Sequence, residues 1–467
     1  MKRTAATLLY IFSLIGLTLV MLFVFNAGKG LEPGINMQTI LAPSAPAHLL
    51  EAVTDSFKHP LAIFILQLVL IIAASQVCAF LFKKIGQPSV MGEIVAGILL
   101  GPSLMGSMLP QFSTFIFPAA SLGNLQMLSQ VGLILFMFVI GMELDLNLLK
   151  KGASTALLIS HFSIVLPFGL GIGLSYFLYA QYAPAHIPFY AFSLFMGIAL
   201  SITAFPVLAR IIRERGISGT KLGTIAITAA AAGDLAAWCI LAFIIAIVKA
   251  GSVTSSLYTI IAAAIYIGVM FFVIRPMLNR LAIKSSHNKT MKRSVMALIF
   301  VMLLLSAYCC EVIGIHALFG AFLAGAIMPS EWNFRKLLID KIEDVALVLL
   351  LPLFFVFTGL RTQIGLLNDP SLWGTCLLII AVAVAGKFGG SFLAARITGE
   401  NMQDSLSIGA LMNTRGLVEL VVLNIGYDLQ IISSRMFTMM VLMALVTTFM
   451  TNPALNLINK IYKARSV

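Results

Sequence analysis

The sequence predicts an all-α polytopic membrane protein, and three observations predict it. Apolar residues make up 60% of the 467 residues and charged residues 10%, with a mean hydropathy of +1.03, too apolar for soluble domains. Uncharged runs of roughly 17–25 residues, the length a helix needs to cross a bilayer, recur along the chain. Long alternating strand patterns do not. Only helices and closed barrels satisfy every backbone group in lipid, so the helical bundle remains.

The first apolar run, about 8–25, follows Lys2 and Arg3 and so also resembles a secretory signal. Its length, and the bulky Phe25 before Asn26-Ala27, favour an uncleaved anchor, with a cleaved signal as the alternative. Residues 28–60, with Pro33, Gly34, Pro43 and Pro46, read as an outer linker, closing an N-terminal region 1–60. Spans then follow at about 61–82, 88–108, 122–142, 154–180, 187–209, 222–248 and 254–274. Beyond a basic connector from Arg275 to Arg293 come about 294–312, 313–329, 345–361, 371–395, 404–426 and 436–458. Residues 61–460 therefore form one transmembrane domain, followed by a short tail, 461–467.

A net charge of +12 would point to nucleic acid in a soluble protein, but the placement of the charges gives a different account. If the N-terminus lies in the cytoplasm and the spans alternate, only Lys29, Lys58, Lys249, Arg361 and Arg435 fall in outer loops. Lys387 and Arg415 fall within spans, and the remaining Lys and Arg lie inside. That asymmetry is the positive-inside pattern, so both termini are expected in the cytoplasm if the first span stays uncleaved. The partner of the basic connector is then the anionic bilayer surface, and no nucleic acid is expected. No phosphate loop is present in the sequence. Neither ATP, nor any other cofactor, nor a nucleotide-binding regulatory domain is expected in this chain.

Asp234 carries the functional reading. It is one carboxylate in an uncharged run from Leu222 to Val248, where a bare charge costs at least a few kcal/mol. Such a group is kept where a proton or a small cation neutralises it reversibly. A structural aspartate bonded to hydroxyls is the bland alternative, but no charged neighbour lies in its own run. Cys78, Cys239, Cys309, Cys310 and Cys376 lack metal-ligand spacing and read as packing residues. His161 and His316 have no second ligand at i+3 or i+4 and read as hydrogen-bonded packing residues.

An internal repeat organises the spans. Gly92-Glu93-Ile94-Val95-Ala96-Gly97 recurs as Gly320-Ala321-Phe322-Leu323-Ala324-Gly325, and each leads to a proline, Pro102 or Pro329. The next span ends in Phe138-Val139-Ile140-Gly141 in one half and Val356-Phe357-Thr358-Gly359 in the other. The copies are an odd number of crossings apart, which inverts the second, as in secondary transporters. Both halves also carry a break: Ser201 and Thr203 precede Pro206 in one, and Asn413-Thr414-Arg415-Gly416 interrupts the other. A pair of tolerated kinks is the bland reading, and their occurrence in equivalent spans favours function.

Four stretches carry a family resemblance over about residues 60–460. They are Gln87-Pro88-Ser89 running to Glu93 with Gly101-Pro102, Ser201 to Arg210, Pro352 to Leu360, and Asn413 to Gly426. In this order around an intramembrane aspartate, the chain resembles the monovalent cation:proton antiporters of the Kef-type and NapA-type bacterial exchangers and the plant cation/proton exchangers. The last three stretches look most like the plant branch. The resemblance implies a NapA/NhaA-like thirteen-helix core with two crossed broken helices. It further implies a homodimeric protein of a bacterial inner membrane and transported K+ or Na+ and H+, with K+ favoured. A transport core, about 154–250 and 371–458, would move against a scaffold of about 61–142 and 291–361. Relatives carry an acid or an amide before the ion-binding aspartate, where this chain has Gly233.

Roles follow for single residues. Asp234 is expected to hold the alkali cation or the proton, and a single exchanging carboxylate gives electroneutral one-for-one exchange. Ser201, Thr203 and Thr228 are candidate oxygen ligands, each weighed equally against a hydroxyl bonded to its own helix. By resemblance, Lys387 pairs with Asp234 when the cation is absent. Arg415 and Glu419, spaced i,i+4, are expected to brace the second break as a salt bridge. Glu93 is expected to pair within the scaffold, for instance with Arg361 or Arg415. Two rivals come from other classes. A gated K+ channel would use the same site without alternating access. An intramembrane aspartyl protease would need its Tyr-Asp element before its Gly-Asp element, and here Tyr427-Asp428 follows Gly233-Asp234.

Overall fold

The computed structural model describes residues 15–23, 59–143, 154–217, 219–250, 256–285, 292–329 and 332–463, and each regular element among them is a helix. The chain divides into two units, Met1–Ala62 and Ile63–Val467. In the first, residues 15–23 form an exposed helix, and the rest of the expected 8–25 span lies outside the described residues. Most of the outer linker and of the basic connector lies outside them too.

The helices that matter to the site are α1 (Pro60–Lys84), α2 (Ser89–Leu100), α3 (Ala119–Glu143), α4 (Ser154–Tyr182), α5 (Phe189–Ser201), α6 (Phe205–Glu214), α7 (Lys221–Ala250) and α8 (Ser256–Val269). In the second half they are α9 (Arg293–Ile313), α10 (Ala317–Ala326), α11 (Trp332–Val345), α12 (Leu351–Arg361), α13 (Pro370–Ile397), α14 (Met402–Met412), α15 (Leu417–Asp428) and α16 (Ser434–Lys463). Among the described residues, 11 helical stretches are long and apolar enough to cross a membrane.

One expected span differs for a local reason, and another is cut where its break was expected. The 313–329 span shortens to the ten residues of α10, because Gly314 at φ 98° and His316 at φ 82° turn the backbone left-handed before it. The 404–426 span is cut at Asn413–Gly416 into α14 and α15, each too short to cross alone. Two π-helical turns, Met270–Ile274 and Ala346–Leu350, were not foreseen. Each ends one residue before a Leu-Pro or Arg-Pro pair, at Pro352 or Pro276, where a proline inside a long helix has no amide to give the preceding turn.

Extensive helix contacts fall into two groups. One joins α2, α3, α9, α10, α11 and α12; the other joins α4, α5, α6, α7, α13, α14, α15 and α16. Helix α8 touches both, packing on α7 and on α9. The first group is built on glycines. A methyl on Gly97 would lie 2.6 Å from the Val356 backbone, so α2 and α12 cross in backbone contact at Gly97 and Gly359. Helices α3 and α10 cross in the same way at Gly141 and Gly325, where a methyl on either would lie 3.0 Å from the other's Cα. Gly92 against the Cys78 backbone of α1 repeats as Gly320 against the Ser306 backbone of α9. The glycines of the sequence repeat thus occupy matching crossings in both halves.

Exposure corrects two packing expectations. Cys310 and Cys376 are buried and Cys78 partly so, but Cys239 and Cys309 are exposed on apolar helices, where the surrounding solvent is lipid. His161 is exposed beside the Phe162 ring, while His316 caps α10, its Nδ1 accepting from the Leu318 amide at 3.4 Å.

Candidate functional site

The two breaks meet. Residues 202–204 between α5 and α6, and 413–416 between α14 and α15, are non-helical and buried. The Ala204 amide donates to the Thr414 carbonyl at 3.1 Å, joining the breaks backbone to backbone. Pro206 does not interrupt a helix; it stands in the first turn of α6, where its missing amide costs nothing. The loosened segment is the three residues before that helix. Gly416 leaves the other break at φ 156°, ψ −126°, backbone that a side chain would strain.

Broken helices expose the last carbonyls of α5, which carry the negative end of its dipole. Two cationic side chains cover them. Arg415 donates to the Ala199 carbonyl at 3.0 Å and to the Leu200 carbonyl at 2.6 Å, and Lys387 donates to the Ser201 carbonyl and to that of Ser163 at 3.0 Å. Both side chains are fully buried. Arg415 also meets Glu419 at 3.1 Å, as the i,i+4 spacing predicts, and that carboxylate is buried as well. The Thr448 hydroxyl donates to the Arg415 carbonyl at 2.8 Å, and Thr414 and Thr451 share a hydroxyl contact at 3.1 Å.

Asp234 lies on α7, which packs on α4, α5 and α14. It is 1% exposed and neither carboxylate oxygen has a hydrogen-bond partner. The pairing with Lys387 that the resemblance implies is not formed in this state, because the ammonium is engaged by the carbonyls at the end of α5. Asn413 Oδ1 and Ser391 Oγ, in the same helix group, are also buried without partners. Acceptor oxygens left bare in a protein interior are what a desolvated cation or a proton satisfies.

The candidate hydroxyl ligands are placed differently. Ser201 Oγ bonds the Gly197 and Ile164 carbonyls at 2.7 and 3.1 Å, and Thr203 Oγ1 reaches the Met412 carbonyl at 3.5 Å, at the end of α14 beside the opposite break. Thr228 is buried on α7, about 9 Å along the axis from Asp234 at the helical rise. Glu93 pairs with neither expected arginine. Arg361 bonds Asp428 at 2.8 Å and Arg415 bonds Glu419, while Glu93 Oε2 is buried without a partner. Sequence reasoning did not single out Ser163, Thr448 or Thr451. The hydroxyl run Thr447-Thr448 and Thr451 in an apolar span was the available signal for the last two.

A cavity of about 480 Å³ opens between the two helix groups, lined by Phe136, Ile140 and Leu347 on one side and by Pro206, Val207 and Arg210 on the other. Glu143, Glu343, Arg213 and Pro88 also line it, Pro88 lying four residues beyond Lys84 at the basic end of α1.

Comparison with known proteins places this geometry. The sodium/hydrogen exchanger transmembrane family matches residues 68–457. The chain belongs to this family. It is 41% identical over 407 residues to the Na(+)/H(+) antiporter NhaS4 of Synechocystis, covering 87% of this chain and 98% of that one. It is 41% identical to the Cation/H(+) antiporter 17 of Arabidopsis thaliana and 33% to the K(+)/H(+) antiporter 1 of Saccharomyces cerevisiae. It spans about half the length of these two relatives, 49% and 47%. The sodium proton antiporter MjNhaP1 of Methanocaldococcus jannaschii shares the fold, with a TM-score of 0.63 at 16% identity over 86% of this chain and 99% of that one. Members of an exchanger family are transporters, and the chain is not an enzyme.

Proposed function

We propose that the chain exchanges K+ or Na+ for H+ by alternating access, one ion at a time at Asp234. The observation that carries this is the buried Asp234 carboxylate, with both oxygens bare, in the helix group that holds both breaks. A proton neutralises it in one direction and a cation in the other, so the crossing step carries no net charge and exchange is electroneutral. The names of the relatives, sodium for one and potassium for another, support a monovalent cation.

In this reading the two-group packing is functional. The group containing α4–α7 and α13–α16 is the transport core, and the group containing α2, α3 and α9–α12, with α1, is the scaffold. The breaks act as the two crossed helices of a thirteen-helix inverted repeat. Exposed apolar side chains on α1 and α9, such as Val69, Phe80, Leu305 and Tyr308, form the face assigned to a homodimer. The basic-rich end of the cavity faces the cytoplasm, and the membrane is the bacterial inner membrane.

The test is cation-induced dequenching of a pH dye in proteoliposomes, run with K+, Na+, Li+ and Rb+. Dequenching with at least one cation, lost in Asp234→Asn, is expected. Cation flux that ignores the proton gradient would make the protein a channel instead.

A further inference from the structure

The segment Gly86-Gln87-Pro88-Ser89 and the acid that follows it, Glu93, have no part in ion binding as described, yet they face the core. Three polar contacts tie this segment to the core. Arg210 on α6 donates to Ser89 Oγ at 2.9 Å, Asn452 on α16 donates to the Gly86 carbonyl at 2.7 Å, and Gln87 donates to the Phe449 carbonyl at 3.4 Å. Between them the contact is apolar: Val90, Met91 and Ile94 of α2 lie along a gap of about 10 Å³ opposite Val207, Leu420 and Leu445. A smooth apolar face with polar contacts at one end lets two bundles slide between discrete stops.

Glu93 is the unexplained group on that face. It is 9% exposed, its Oε2 is buried without a partner, and one helical turn away Arg210 bonds Ser89. Ser89 and Glu93 are spaced i,i+4, so they occupy the same side of α2, one turn and about 6 Å apart. Arg210 is now at the Ser89 end, holding Ser89 and its own neighbour Glu214, the latter at 2.8 Å. Its side chain lines the cavity, whose wall includes Pro88 and Val90 at the start of α2.

We propose that Arg210 and Glu93 form a state-dependent ion pair that positions the core. When the core slides one helical turn along α2, away from the basic-rich end, Arg210 leaves Ser89 and takes the Glu93 carboxylate. The Asn452 and Gln87 contacts break in the same step. The structure holds one stop, with the cavity open and Glu93 unpaired; the other stop closes the cavity and pairs it. Ser89 and Glu93 therefore bias the equilibrium in opposite directions, and neither touches the ion. The inference rests on the alternating-access reading above.

The experiment follows the cavity. Leu347 lines it and is half-buried, so Leu347→Cys reports its opening to a membrane-impermeant maleimide. The exposed Cys239 and Cys309 are replaced by serine, and the parent without Leu347→Cys serves as blank. In proteoliposomes labelled from the cavity side, Glu93→Gln is expected to speed labelling at least threefold and Ser89→Ala to slow it. The charge reversal Glu93→Arg with Arg210→Glu is expected to return the rate to within twofold of the parent. Glu93→Asp, which keeps the charge, gives an intermediate rate and replaces Glu93→Gln should that variant not fold. Equal rates, shifts in the same direction, or no rescue by reversal would overturn the pair. If exchange still vanishes in Asp234→Asn, such a result leaves the transport reading intact. Exchange that survives Asp234→Asn would defeat that reading instead.

Discussion

The Ala204 amide and the Thr414 carbonyl, 3.1 Å apart, tie the break of one repeat to the break of the other. Each break thereby satisfies a backbone group that the other leaves bare, and neither is stable alone in a medium without water. The side chains extend the same logic, since Arg415 from the second break covers carbonyls at the end of α5. The two breaks are held as one unit within one helix group, and the ion site and its supports move together.

That arrangement sets the order of damage when the buried pair is cut. Glu419→Gln keeps a hydrogen-bond acceptor but leaves the Arg415 charge buried and unpaired, which costs about 3–5 kcal/mol. Arg415→Met exceeds it, because it also strips the Ala199 and Leu200 carbonyls and leaves the Glu419 carboxyl buried without its partner. The double variant restores charge balance but not the carbonyl contacts, so it falls between wild type and Arg415→Met. Thermal unfolding in detergent ranks the three, and a double variant as unstable as Arg415→Met would contradict the pairing.

Competition for one carboxylate fixes the sign of the pH dependence. Below the pKa of the site, each unit of acidification raises the ratio of protonated to free carboxylate about tenfold, so the apparent KM for the cation rises about tenfold per unit. Lys387→Met removes a fixed positive charge from the same helix group, so the apparent KM at alkaline pH falls. Initial dequenching rates against cation concentration at several pH values measure both. A KM that does not change with pH would separate the cation site from the proton site.

The matched glycine crossings give a packing test. Gly97→Ala and Gly325→Ala each push a methyl into backbone, of Val356 and of Phe138, with no flexible side chain to give way. Overpacking of this kind costs about 1–3 kcal/mol, and equivalent positions should lose similar amounts. Gly173→Ala on α4, with nothing within 4 Å of the added carbon, should be neutral or stabilising by up to about 1 kcal/mol. Unfolding midpoints for the three variants, measured in one detergent, check the contrast.

Much of this was legible in sequence because the signals were local or periodic. Apolar run length predicted spans such as α1, α3, α4, α7 and α13, and Gly92, Gly97, Gly320 and Gly325 announced close crossings, because in lipid small residues set where backbones meet. The i,i+4 spacing of Arg415 and Glu419 was enough to pair them. Partners distant in sequence were not legible. Nothing in the spacing of Lys387 points to Ser163 and Ser201, 224 and 186 residues away, and nothing near Glu93 excludes Arg361. The break was expected in the residues before Pro206, and the chain opens there, with the proline itself in the first turn of the next helix. The π turns were missed because they answer prolines inside long apolar runs, which composition alone reads as uninterrupted helix.

Gly233 sets the charge carried per cycle. A Cβ there would meet Ser160 Oγ at 3.4 Å, the near edge of ordinary contact, so a side chain can begin at Gly233 without moving backbone. With Asp234 alone, the site crosses neutral in both directions and the cycle moves no net charge. A second carboxylate beside it crosses ionised with the cation and takes a second proton on the return. Two protons then exchange for one cation, so one net charge moves in each cycle. Gly233→Asp should therefore generate a membrane potential during cation-driven exchange, whereas the wild type should not, and a potential-sensitive dye in proteoliposomes with and without valinomycin reads the difference. Gly233→Asn, of similar size but uncharged, should keep exchange electroneutral. Should Gly233→Asn become electrogenic as well, the added volume rather than the added charge would control the stoichiometry, and the charge count at Asp234 would be wrong.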